Sequence, residues 1–272
     1  MNQTRCYAKP MYLLIALALV LCLGLLVVPQ TAASPDEATF YSTNLDGYLY
    51  QPPIMWFVYS DAHAASPGQV DSDDYRLRVG QELGGNGFNI FRGAVFFDTS
   101  SLPDDSIITS ATLSLYGQLN ASTTDFQITV VGGSLLHEPL EGADYGYLRN
   151  QTVSGGTFDT AGFSTSGYNN IPLNETGMGW ISNTRITKFG LRSSREIAAT
   201  EPVGAEHVYV YTREHTGGNE YWPKLVVTHT TPIVGGEADP VNKLAIVAPW
   251  IALCAVIAVG TSIARRRRRA ES

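Results

Sequence analysis

Residues 107–116 read Ile-Ile-Thr-Ser-Ala-Thr-Leu-Ser-Leu-Tyr, and their alternation decides the fold class. Ala111, Leu113 and Leu115 fall on one side of an extended chain, with Thr112, Ser114 and Tyr116 on the other. A period of two marks a strand with one buried face. Phe126, Ile128 and Val130 alternate with Gln127 and Thr129 in the same way. Residues 88–97 are apolar on both faces in their second half, which suits a central strand. Residues 208–211 and 225–228 read as late strands.

The joints between these runs carry their own signals. Residues 98–105, Asp-Thr-Ser-Ser-Leu-Pro-Asp-Asp, are rich in side chains that bond their own backbone and predict a turn. Gly84, Gly85, Asn86 and Gly87 predict another. Asn174 is placed to cap a short helix over 174–182 that Gly177 and Gly179 weaken. No long stretch has helical periodicity. Short β-branched and aromatic runs separated by turn clusters predict an all-β sandwich or barrel over residues 34–231.

Both ends of the chain predict a membrane topology. Arg5 and Lys9 precede an unbroken apolar stretch at 11–28, and Thr31 and Ala33 supply small residues for a cut before Ser34. This is the layout of a secretory signal over residues 1–33. Residues 244–264 are uncharged and run directly into five arginines, Arg265 to Arg269. A helix needs roughly 20 apolar residues to cross a bilayer, and arginines stay on the cytoplasmic side. The expected order is signal segment, exported domain 34–231, stalk 232–243, transmembrane helix 244–264, and basic cytoplasmic tail 265–272. The protein is thus expected at the cell surface, single-pass, with its N-terminal domain outside.

Between residues 34 and 240 there are 24 acidic and 10 basic residues, a formal charge of −14. A surface this acidic repels nucleic acid and excludes it as a partner. The three cysteines, Cys6, Cys22 and Cys254, all lie in the leader or the span. The exported region therefore holds neither disulfides nor thiolate zinc sites.

Three segments together resemble the DNRLRE-type domains of microbial surface proteins. They are Phe91-Arg92-Gly93-Ala94-Val95-Phe96-Phe97 continuing through Tyr116, then Lys188-Phe189-Gly190-Leu191-Arg192, then Pro223-Lys224-Leu225-Val226-Val227-Thr228. Those domains are similar to jelly-roll carbohydrate-binding modules. The naming motif of the family is absent; Asp74-Tyr75-Arg76-Leu77-Arg78 echoes it in part. The resemblance implies a jelly-roll-like β-sandwich ectodomain and a surface location, with a closing strand at Leu225 that pairs back near the first strands, and it leaves the ligand open.

The chemistry expected of the chain is binding. Residues 162–167 lack the spacing of a nucleophile elbow, and Pro139 after His137 and Glu138 bars a zinc-binding helix. A hydrolase would require a cleft with two close carboxylates. Trp56, Tyr59 and Trp222 are the candidate ligand-binding rings, since an exposed aromatic face stacks on a sugar whereas a buried one fills the core. Asp71, Asp73 and Asp74 are the candidate calcium ligands. They do not form an EF-hand, because Tyr75 and Arg76 occupy its fifth and sixth positions. A glycan or envelope polymer is the expected partner besides the membrane. The alternative is a structural or adhesion protein that binds another surface protein, whose signature would be an apolar patch or an open edge strand.

Overall fold

The computed structural model describes residues 34–51, 58–72, 74–85, 87–232 and 269–270. The chain divides into a unit ending at Thr231 and a second beginning at Pro232. The signal segment at 1–33 and the apolar run at 244–264 lie outside the described residues. Among the described residues no helix is long and apolar enough to cross a membrane.

The first unit is all-β. Its strands are β1 (Asp36–Tyr41), β2 (Gly47–Tyr50), β3 (Gln69–Asp71), β4 (Arg76–Gly84), β5 (Gly87–Asp98), β6 (Ile107–Asn120), β7 (Gln127–Gly132), β8 (Gly156–Asp159), β9 (Tyr168–Pro172), β10 (Ile186–Ser193), β11 (Ala205–Tyr211) and β12 (Lys224–Thr230). Among the described residues four short α-helices interrupt them, α1 (Tyr59–Ala64), α2 (Asp144–Arg149), α3 (Glu175–Met178) and α4 (Ser194–Ile197), with one 3-10 turn at Thr160–Gly162.

The strands form one curled antiparallel sheet in the order β1-β12-β6-β11-β4-β5-β10-β7-β8. Beyond this path, β2 pairs with β5 and β3, and β9 pairs with β6. β6 is the seam. Its residues 107–114 pair with β12, 112–116 with β9, and 117–120 with β11. The curl brings the segment before β8 against the end of β9, where the Asn174 amide donates to the Gly155 carbonyl at 2.9 Å. β12 pairs with β1 as well as with β6, so the run at Leu225 is a strand one place in from the edge that β1 forms.

Two apolar clusters lie on opposite faces of β5, which explains why its sequence is apolar throughout. Phe91, Val95 and Phe97 join Leu77, Val79, Leu113, Leu115, Ile128 and Val130 inside the curl. Phe88, Ile90, Ala94 and Phe96 face the other way, packed with Tyr59 and Ala62 of α1 and Tyr145 and Leu148 of α2. Helices of six residues are too short to hold themselves. A buried ionic clamp fixes them. Glu196 of α4 accepts from Arg92 Nε at 3.1 Å and Nη2 at 2.5 Å through one oxygen. Its other oxygen takes Arg192 Nε at 2.6 Å. Arg92 also donates to Tyr145 O at 2.8 Å and stands 3.9 Å over the Tyr145 ring, while Arg192 donates to Arg149 O and Gln151 O. His63 Nε2 lies 3.1 Å from the same glutamate. All three clamp residues are essentially solvent-free.

The turns follow the local chemistry read from the sequence. Asp98 Oδ1 accepts from the Ser100 amide at 3.1 Å and from Ser100 Oγ at 2.6 Å. Asn174 Oδ1 caps α3 by accepting from the Gly177 amide at 3.0 Å. Gly84 and Gly87 close the β4–β5 hairpin, with Gly87 at φ 96°.

Candidate functional site: an aromatic groove at the end of β11

A groove of about 510 Å³ is lined by Asp74, Tyr75, Gln118, Tyr211, Glu214, His215 and Thr216. Three segments build it: the turn entering β4, the late part of β6, and the loop leaving β11. Thr212, fully buried, ties two of them together. Its amide donates to Tyr75 O at 3.0 Å and its hydroxyl to Asp74 O at 2.8 Å. The next residue anchors the loop to the sheet start, where the Arg213 amide donates to Asp46 Oδ2 at 3.2 Å and its Nη1 to Ser42 O at 2.9 Å. Gly218, at φ 80°, turns the chain back so that Tyr221 returns beside His215.

Rings run through the site in a continuous series. Tyr75 lies 6.4 Å from Tyr211, Tyr211 lies 4.1 Å from His215, and His215 lies 4.6 Å from Tyr221. Tyr221 then meets Tyr116 at 4.8 Å, and Tyr116 meets Tyr168 at 5.2 Å. Tyr75 is 44% exposed and so presents a ring to solvent at the mouth. A large aromatic held open to water by its neighbours is an available stacking face. His215 Nδ1 accepts from the Gly217 amide at 3.1 Å, which leaves Nε2 as the protonated nitrogen of the neutral ring.

Beneath the groove sits an unusual acid. Asp46 is fully buried, accepts from Ser42 Oγ at 2.9 Å, and has no hydrogen-bond partner at Oδ1 among the described residues. Burial, reinforced by the charge of Glu214, pushes its carboxyl up to about 7. Asp46 and Glu214 are thus neighbouring carboxylates. Asp46 has no exposed surface, so the pair does not present two carboxylates to a ligand.

The residues named from sequence are scattered. Trp222 borders the groove and donates from Nε1 to His215 O at 3.2 Å. Its ring is half-buried, edge-on to Tyr41 and covered by the Arg213 guanidinium at 4.0 Å. Asp74 lines the groove and accepts from Arg76 Nε at 3.1 Å. Asp71 ends β3 and accepts from Tyr48 Oη at 3.0 Å. Tyr59 lies away from the groove in the second apolar cluster, 7% exposed, its hydroxyl donating to Gln81 at 2.7 Å. Such a position offers no face for stacking. Trp56 and Asp73 fall outside the described residues. Among the described residues no group of three or more His, Cys, Asp or Glu is placed to hold a metal ion.

Sequence reasoning passed over Tyr75, Tyr116, Tyr211 and His215. Tyr75 lies in the segment that echoes the family motif, Tyr116 and Tyr211 sit on the outward positions of alternating strands, and His215 is an isolated loop histidine. Only the curl of the sheet brings them together. No protein-family model matches the chain, and no known curated protein matches it significantly. The resemblance to DNRLRE-type domains rests on the quoted residues.

Proposed function

We propose that this protein is a membrane-anchored cell-surface protein whose jelly-roll-like domain is a non-catalytic module for a carbohydrate or envelope polymer, bound at the groove of Tyr75, Tyr211 and His215. The observation that carries the reading is the exposed Tyr75 ring at the mouth of a groove that also holds Asp74, Gln118 and Glu214. Ring faces that pack on sugar C–H groups, beside side chains that accept from sugar hydroxyls, are the two elements a glycan needs. The signal layout at 1–33, the apolar run at 244–264 and the arginines after it support the anchoring. A calcium ion held by Asp71, Asp73 and Asp74 would be an addition to this site, tested by comparing thermal midpoints in calcium and in chelator.

The competing adhesion reading draws less support. Strand β1 is an open edge beside β12, but it starts with Asp36 and Glu37, charges that discourage pairing with another strand.

A glycan array probed with the full-length chain in detergent tests the proposal. Saturable binding to one glycan class is expected, weakened about tenfold by Tyr75→Ala, the cost of roughly 1.4 kcal/mol of lost stacking. A blank array from folded protein would move the reading to a protein partner.

A further inference from the structure

Three Asn-x-Ser/Thr triplets lie in the β domain: Asn120-Ala121-Ser122, Asn150-Gln151-Thr152 and Asn174-Glu175-Thr176. In an exported protein such a triplet accepts N-linked sugar where it lies at the surface. A transferase has to reach both the asparagine amide and the hydroxyl two residues on, so burial and hydrogen bonding sort the three. Asn120 ends β6 with both ends of its side-chain amide engaged: Nδ2 donates to Thr160 O at 3.3 Å, and Oδ1 accepts from the Ser122 amide at 3.0 Å. The Ser122 hydroxyl is enclosed. Asn174 is engaged likewise, Nδ2 donating to Ser154 O at 2.9 Å while Oδ1 caps α3. A sugar on that nitrogen would crowd the Ser154 carbonyl.

Asn150 differs on each count. It directly follows α2, and residues 151–154 have no regular structure. The side chains of Asn150 and Thr152 are exposed and bond to nothing among the described residues. The backbone that carries them is nevertheless fixed. The Asn150 amide donates to Tyr147 O at 3.1 Å, and the carbonyls of Arg149 and Gln151 both accept from Nη1 of the buried Arg192, at 2.9 Å and 2.6 Å. With the carbonyls on either side turned inward, the residue between them stands outward.

Resting on the exported placement proposed above, we infer that Asn150 is a site of N-linked glycosylation and that Asn120 and Asn174 stay bare. The saccharide comes from a lipid-phosphate-linked donor through a membrane transferase. A bond forms between Asn150 Nδ2 and the anomeric carbon, and the bond from that carbon to phosphate breaks. The phosphate leaves with the electron pair, and Nδ2 gives up one proton to a base of the transferase. No residue of this triplet lines the groove of Tyr75, so the sugar does not depend on which ligand the groove holds.

Glycopeptide mass spectrometry on the full-length protein from the membranes of its own host tests this. The peptide containing Asn150 is expected to be heavier by at least one sugar residue, and those containing Asn120 and Asn174 to have their sequence masses. Asn150→Gln and Thr152→Ala each abolish the increment, whereas Thr152→Ser keeps it, the pattern of a triplet read by a transferase. Both positions are exposed, and thermal midpoints recorded beside the masses verify that the variants fold. Antibody staining of intact cells separates export from modification. Staining with a bare Asn150 overturns the glycosylation and leaves the exported placement standing. Staining only after permeabilisation, with a bare Asn150, overturns both. Sugar on Asn120 or Asn174 in place of Asn150 overturns the assignment.

Discussion

Glu196 holds two arginines that would otherwise be buried and unpaired, and its titration shows how firmly. Burial alone would raise its carboxyl, but Arg92, the His63 hydrogen bond and Arg192 outweigh that and leave it far below the ordinary carboxylate range. Its contribution to stability is present above the unfolded value near 4.5 and is lost as acid approaches the folded value. Glu196→Gln is expected to cost about 3–5 kcal/mol, because it strands two guanidiniums away from water. Chemical denaturation at pH 7 measures it; a loss under ~1 kcal/mol would mean the clamp is not what secures the helices. Asp46 behaves in the opposite sense. The folded protein keeps its proton up to about pH 7, whereas the unfolded chain releases it near 3.8. Between those values the folded state binds more protons, so stability falls as pH rises. Asp46→Asn is expected to raise the thermal midpoint at pH 8 and to flatten its decline between pH 5 and 8. Parallel curves for the two proteins would contradict the assignment.

Among the elements, β6 does the most to shape the site, because it leaves β12 and β9 and takes up β11 at Gly117. A Cβ on that glycine would stand 1.9 Å from Ser164 O, inside any tolerable contact. Gly117→Ala is therefore expected to lower stability by about 1–3 kcal/mol and to displace Gln118 at the groove. A thermal midpoint unchanged within a degree would show that the loop around Ser164 before β9 yields freely. The strands themselves were legible in advance. Ala111, Leu113 and Leu115 announced β6 by alternation, and the polar run after Asp98 announced its turn, since both are local effects. The six-residue α1 and α2 were not legible, because their stability comes from contacts with Arg92 and Arg192 rather than from propensity or periodicity. Arg92 and Arg192 stood in the segments that carry the family resemblance, yet nothing local distinguishes an arginine bound for the core from one bound for water. Tyr59 and Trp222 illustrate the same gap from the other side: ring type was readable, but exposure is a property of the packed sheet.

At the scale of the whole molecule, the groove is the product of distant parts. Asp74, Gln118 and Glu214 are separated by more than forty residues at each step, and only curling the sheet about β6 brings them to one lining. Local reading found one lining residue, Asp74, as a calcium candidate, and one bordering ring, Trp222, and missed that they lie together. The formal charge of −14 over residues 34–240 sets the field in which any ligand arrives. The groove is the proposed seat of the partner. Hydrogen–deuterium exchange on the full-length chain, with and without a saturating glycan ligand from the array, tests that most directly. Protection confined to the segments 74–76, 116–118 and 211–221 is the predicted result. Protection elsewhere on the sheet, with these three segments unchanged, would contradict it.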